Sequence, residues 1–149
     1  MNSSRTKLIF LGTGTPNPDP KHLGASIIIL VDETPYPVDF GAGLVRQAAS
    51  LTSRYGGSIE VLKIKNLKTA FLTHMHSDHT VGYPDLILTP WVMGRDTPLE
   101  VYGPDGIEEM TVNLLEAYRD DIKYRLYGLE PANNKGWRVN AHEIKEGVI

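Results

Sequence analysis

Apolar residues recur along this chain in short runs separated by glycine- and proline-rich breaks, the spacing of strands and helices that alternate. Leu8-Ile-Phe-Leu11 closes on Gly12-Thr-Gly-Thr-Pro-Asn-Pro-Asp-Pro20. This predicts a short buried strand over Lys7 to Leu11 running into a rigid loop, because Pro16, Pro18 and Pro20 forbid a helix there. Ala25 to Val31 is continuously apolar and rich in β-branched residues, the mark of a strand covered on both faces. Asp32-Glu-Thr-Pro35 then turns the chain into Tyr36-Pro-Val-Asp39, which reads as a hairpin. Phe40-Gly-Ala-Gly43 breaks that strand and opens a helix in which Leu44, Ala48 and Leu51 share one face, up to the turn chemistry of Tyr55-Gly-Gly-Ser58.

Beyond a mixed segment from Ile59 to Lys68, Thr69-Ala-Phe-Leu72 reads as a buried strand, followed by a polar loop and the helical stretch Pro84-Asp-Leu-Ile-Leu88. Gly82 and Pro84 sit where a first turn tolerates them, and Pro90-Trp91 is expected to end the helix. Trp91 is either core or the wall of a pocket. Leu99 to Pro104 predicts a strand, and from Asp105 the residues Ile107, Met110, Leu114, Leu115 and Tyr118 form a helical stripe expected to be core. Tyr124 to Leu129 and Trp137 to Ile144 are weaker strand candidates about the polar turn Pro131 to Gly136. This alternation predicts a layered α/β architecture rather than a bundle or an all-β sandwich.

Composition narrows the class. With 149 residues, 41% of them hydrophobic and 22% charged, the chain accommodates one domain with a sizeable core. The formal net charge of −3 supplies no global basic field, which weighs against RNA as substrate and leaves room only for local patches. Lys63, Lys65 and Lys68 are such a patch or, as is commoner, a solvated face. The absence of cysteine excludes disulfides and thiolate metal sites and leaves His and Asp as metal ligands. Leu8-Ile-Phe-Leu11 is too short for a signal-peptide core or a membrane span, so the cytoplasm is the default compartment.

The chemistry concentrates in His74-Met-His76-Ser-Asp78-His79, directly after a buried strand and directly before a helix. In an extended segment His74 and His76 project to one side of Met75 and could grip one ion; Asp78 and His79, where the chain turns, could hold a second. Mixed nitrogen and oxygen donors suit zinc or another borderline divalent metal. Asp78 could also steer an attacking water and accept its proton. The competing reading is a polar surface loop, which four donors at this spacing behind a strand argue against. Gly12 and Gly14 do not make a dinucleotide site, since a third glycine and an opening helix are missing. His22 follows the proline loop and reads as a solvated histidine, with a place at the rim of the site as the other reading.

His74-x-His76-x-Asp78-His79 resembles the signature of the metallo-β-lactamase superfamily. The longer stretch Thr73-His-Met-His-Ser-Asp-His-Thr-Val-Gly-Tyr-Pro-Asp-Leu86 is similar to the branch holding ribonuclease Z and the arylsulfatase-like hydrolases, and the likeness extends to Leu11–Pro16, Val38–Gly43, Trp91–Arg95 and Val101–Pro104. The resemblance implies an αββα sandwich, of which this chain covers the first half, and two zinc ions per complete site, with manganese as a substitute. It implies a hydrolase of a small ester, phosphodiester or sulfate ester; ribonuclease Z-like processing of tRNA 3′ ends and a non-catalytic fragment are the alternatives. Asp39 resembles the aspartate that lies beneath the metal loop in that family, where it would orient a ligating imidazole; a helix cap or turn-fixing role is equally open. After His79 the chain carries a single further histidine, His142, without the neighbours such a ligand has. The expectation is therefore an amino-terminal half of a longer enzyme, with a strand beginning at Gly147-Val-Ile149, whose open sheet would be covered by a second copy of the chain or a carboxy-terminal half.

Overall fold

The computed structural model describes residues 6–147. Strands β1 (Thr6–Gly12), β2 (Ser26–Val31) and β3 (Thr34–Val38) form an antiparallel meander. Val31 pairs with Thr34 across a two-residue turn in which Asp32 and Glu33 both have positive φ, 48° and 68°. Such a turn matches the natural twist of the two strands, which fixes the hairpin register. The chain then crosses over through α1 (Leu44–Ser50) and three single 3-10 turns, Ser53–Tyr55, Glu60–Leu62 and Ile64–Asn66. It returns in β4 (Thr69–Phe71), crosses through α2 (Ser77–Thr80) and α3 (Tyr83–Val92) to β5 (Leu99–Gly103), and through α4 (Ile107–Ala117) and α5 (Arg119–Tyr127) to β6 (Val139–Glu143). The single six-stranded sheet runs in chain order, and β3 through β6 are parallel. This is the α/β architecture expected.

One face of the sheet is packed. Ile28, Ala70 and Val101 meet Phe40, Leu44, Leu86 and Ile107 there in one continuous core. The other face carries Tyr36, Phe71, Tyr102 and His142, one from each of β3 to β6, stacked side by side with ring centroids 6.3, 5.4 and 4.6 Å apart. All four are half-buried. β2 follows the same division, with Ser26, Ile28 and Leu30 buried and the alternate residues partly open, so it is covered fully on one face only and not on both. β1, expected to be buried, is an edge strand: Phe10 is 65% exposed and Leu11 alone is buried along it.

Three further expectations change. Pro90 does not end α3, which continues to Val92. Proline cannot donate to the carbonyl four residues back, that of Leu86; the Arg95 guanidinium does so instead at 3.0 Å, so the helix tolerates the break. Tyr124 to Leu129 is not a strand, since Arg119–Tyr127 is helical. Asp120 and Asp121 in its first turn and Arg125 in its last suit the helix dipole, and Arg125 pairs with Asp121 one turn back at 2.8 Å, which outweighs the aromatic content. Along α4 the apolar stripe is core only at Ile107; Met110, Leu114 and Leu115 pack on the core from its margin and Tyr118 is exposed. Trp91 is core, with its indole N–H donating to the Asn133 carbonyl at 2.7 Å. The strand expected to begin at Gly147-Val-Ile149 falls largely outside the described residues. No helix among them is long and apolar enough to cross a membrane.

Candidate metal centre

In an open α/β sheet, functional groups collect beyond the carboxyl ends of the parallel strands. Here β3 ends at Val38 and β4 at Phe71, and the two segments that follow are joined: Asp39 N–H donates to the Phe71 carbonyl at 2.8 Å. Phe40 N–H donates to the His79 carbonyl and Gly82 N–H to the Phe40 carbonyl, each at 2.7 Å, so α2 is tied by its main chain to the turn after β3. A β-carbon on Gly82 would lie 2.5 Å from the Gly41 carbonyl oxygen, and one on Gly41 would lie 2.3 Å from the Gly24 carbonyl carbon. Only glycine allows the proline loop, the β3 turn and α2 to stack backbone on backbone in this way.

On this frame Met75 packs against the core and the two flanking imidazoles project outward, as the alternation requires. The His74 and His76 rings meet edge to face with centroids 4.7 Å apart, and His74 and His79 lie 4.1 Å apart. Asp78 Oδ2 stands 3.5 Å from His79 Nε2. All four residues singled out from the sequence are thus in one cluster. In kind, three imidazoles and a carboxylate fit zinc; among the described residues no three donors already enclose an ion, and the rings pack on one another instead.

Asp39 lies underneath and does not cap a helix; the residue at the start of α1 is Gly43, with no side-chain cap. The Asp39 carboxylate accepts from Thr73 N–H at 2.8 Å and from the Thr73 hydroxyl at 2.8 and 3.0 Å. His79 Nδ1 is 2.8 Å from Asp39 Oδ2, an ion-pair distance at which the N–H points off line, so the ring nitrogen is buried without an aligned hydrogen bond. A carboxylate facing one ring nitrogen of a histidine is the arrangement that orients a ligating imidazole. Asp39 itself holds φ at 62°, an uncommon backbone state that aspartate tolerates better than most residues. Thr73 received no role from sequence reasoning, yet its hydroxyl also lies 2.9 Å from His74 Nδ1 and so links Asp39 to a second imidazole. Its place immediately before the first histidine was the available signal.

A cleft of about 400 Å³ lies beside the cluster, lined by Thr15 to Pro20, His22, Ala42, Gly43, Ser77 and Asp78. The proline loop is therefore the rim of the site. His22 stands on that rim, its Nδ1 2.7 Å from Asp19 Oδ2. Hydrogen bonds from Lys21 N–H and from His22 hold the Asp19 carboxyl below its usual range. His142 is elsewhere: on β6, stacked on Tyr102 and bonded through Nε2 to Glu100 Oε2 at 2.8 Å. Burial alone would raise the Glu100 pKa, but the bonds from His142 and Asn140 prevail and lower it.

No protein-family model matches the chain. Ribonuclease Z of Mycobacterium marinum is 32% identical over 146 residues, 96% of this chain and 49% of that protein. The crystal structure of human tRNase Z, short form, superposes with a TM-score of 0.63 at 27% identity over 75% of this chain and 39% of that one. A metallo-β-lactamase fold protein from Bacillus subtilis gives a TM-score of 0.59 at 14% identity, over 94% of this chain and 47% of that one, a likeness of fold alone. The chain spans about half the length of the curated relatives it matches.

Proposed function

Since this chain belongs to the metallo-β-lactamase superfamily, on its ribonuclease Z branch, we propose that it supplies the histidine-rich half of a metal-dependent phosphodiesterase site that cleaves RNA, in the manner of tRNA 3′-end processing. The observation that carries this reading is the cluster of His74, His76, Asp78 and His79 at the end of β4, with Asp39 set beneath it. A divalent ion held there would supply Lewis acidity toward water and the phosphoryl oxygens. The protein's own part is positional and acid–base. Asp39 and Thr73 hold His79 and His74 in orientation, and Asp78, at the mouth of the cleft, accepts the proton of the attacking water. The Thr15–Pro20 loop confines the substrate against Ser77 and Asp78.

The expectation of a small ester rested on net charge. The names of the relatives favour RNA, and an overall charge of −3 does not preclude a local cationic surface. The remaining ligands would come from the rest of the fold, a carboxy-terminal half or a second copy of the chain, seated on the sheet face that carries Tyr36, Phe71, Tyr102 and His142.

The test is cleavage of a tRNA precursor beside a chromogenic phosphodiester, with zinc or manganese, by the chain alone and mixed with a carboxy-terminal half from a relative. RNA cleavage abolished by His76→Ala supports the proposal. Turnover of the small phosphodiester alone returns the preference to small substrates, and no metal uptake under any condition leaves the non-catalytic reading.

A further inference from the structure

At the far end of α1 from the histidine cluster the 3-10 turns line a second, open cavity of about 520 Å³. It shares no lining residue with the cleft beside Asp78. Gly43 lines the cleft and Ala49 the cavity, a separation of roughly 9 Å along the helix at about 1.5 Å per residue. The charged residues around it are Arg54, Lys63 and Lys65 against one carboxylate, Glu60. That carboxylate is engaged, accepting from Ser53 N–H at 2.7 Å and pairing with Lys63 at 2.8 Å. Arg54 and Lys65 have no carboxylate partner among the described residues, on a chain whose overall charge is negative.

Beside these cations lies an aromatic surface. Tyr55 is 62% exposed, and the Arg54 guanidinium sits 5.7 Å from its ring centroid, against that ring. Met93, half exposed, lines the same cavity. Unpaired cations next to an exposed ring are the two elements that single-stranded nucleic acid sites combine: charge for the phosphate and a flat apolar face for the base. An isolated solvated lysine face would have the first without the second.

We infer that the cavity framed by Arg54, Tyr55 and Lys65 binds a nucleotide unit, its phosphate on the two cations and its base on the tyrosine ring. The inference deepens the RNA-directed reading and rests on it for the polymer's identity. A single-stranded segment of the substrate RNA, away from the scissile bond, and a free nucleotide present the same chemistry, and the experiment separates them.

The test is fluorescence anisotropy of the full chain with a labelled decaadenylate, in competition with AMP and across a salt series. With one phosphate neutralised by the two cations, affinity is expected to fall about 2.6-fold between 50 and 200 mM salt, from a slope of about −0.7 per phosphate on single strands. The Arg54→Ala/Lys65→Ala variant should bind at least tenfold more weakly with a flatter salt slope. Tyr55→Ala should lose roughly fivefold or more, the range for one stacked base. Glu60→Gln, which keeps an oxygen for Ser53 N–H while freeing Lys63, should bind more tightly, a gain that misfolding cannot imitate. Displacement by AMP assigns the site to a free nucleotide; binding of the decaadenylate alone assigns it to RNA. Failure of both probes to bind, or equal affinity of the wild type and the Arg54→Ala/Lys65→Ala variant, overturns the inference. A chain that binds here yet cleaves no RNA when mixed with a carboxy-terminal half counts against the hydrolase reading and not against this site.

Discussion

Arg95 is fully buried and holds four main-chain carbonyls: Leu67 and Leu86 through one terminal nitrogen at 3.1 and 3.0 Å, Ile87 and Gly136 through the other at 2.6 and 3.0 Å. Those carbonyls belong to the approach to β4, the interior of α3 and the turn before β6. Replacing Arg95 by Met keeps an unbranched apolar stem and removes every donor. Four hydrogen bonds from a charged donor, at about 1.5 kcal/mol each, amount to about 6 kcal/mol. Against this stands the cost of keeping the cation from water. Burial lowers its pKa from 12.5 to about 10, and at about 1.36 kcal/mol per unit that is about 3 kcal/mol. The expected net destabilisation of Arg95→Met is therefore about 3 kcal/mol, read as a lower urea midpoint at unchanged slope. Pro90→Ala sharpens the test, because it restores the N–H that a helix would direct at the Leu86 carbonyl. In the Arg95→Met background it should recover about 1 kcal/mol more than in the wild type; proline's effect on the unfolded chain cancels between the two backgrounds. A loss under about 1 kcal/mol for Arg95→Met, or an equal effect of Pro90→Ala in both backgrounds, would refute the assignment of Arg95 as donor to the proline break.

Three other outcomes are expected. His76→Ala or Asp78→Ala should lower zinc or manganese content per chain with little change in thermal midpoint, because both side chains stand outside the core; elemental analysis of chelator-free protein decides, and equal metal in wild type and variant contradicts the site. Asp39→Asn, which preserves the backbone state but not the charge facing His79, should weaken metal affinity by about 10- to 100-fold, measured by competition with a chromogenic chelator. Glu100→Gln should reduce stability at neutral pH and not in acid: the folded pKa of Glu100 is depressed, so its stabilisation is present above the unfolded value of about 4.5 and is lost as pH falls through the folded one. Thermal midpoints of both proteins should converge as pH falls through the depressed folded value, and a constant gap across pH would contradict this.

The clustering of the four candidate residues was legible because its signal is local. Alternation about Met75 sets two imidazoles on one side whatever the rest of the chain does, and a strand before the loop and a helix after it follow from adjacent residues. Asp39 could be singled out only by resemblance. Its choice between cap and support depends on Thr73 and His79, 34 and 40 positions away in the sequence, and no local pattern encodes such a pairing. The errors have the same origin. Burial of β1 depends on what covers the sheet edge, not on Leu8-Ile-Phe-Leu11 itself. Extension of α3 past Pro90 depends on a guanidinium from outside the helix. In α5 the reverse occurred: the charges at its ends, with Asp121 and Arg125 one turn apart, favoured a helix, and the aromatic count of Tyr124 to Leu129 was the weaker local guide.

The histidine cluster is positioned chiefly by backbone and only secondarily by its own side chains. Asp39 N–H to Phe71, Phe40 N–H to His79 and Gly82 N–H to Phe40 form a chain of main-chain bonds from the end of β4 to the start of α3. The glycines at 24, 41 and 82 let three segments pass within contact distances that any β-carbon would prevent. Such a frame forms without a ligand, because none of its bonds uses an imidazole. The rings are then left to pack on one another, and Thr73 and Asp39 are the groups that restrict how they turn. An ion held there would meet donors on a main chain already fixed by these bonds, which limits the reorganisation to side chains. The same reasoning separates fold from site in any mutational series: substitutions at Gly41 or Gly82 strike the frame, and those at His74, His76, Asp78 and His79 strike the donors it carries.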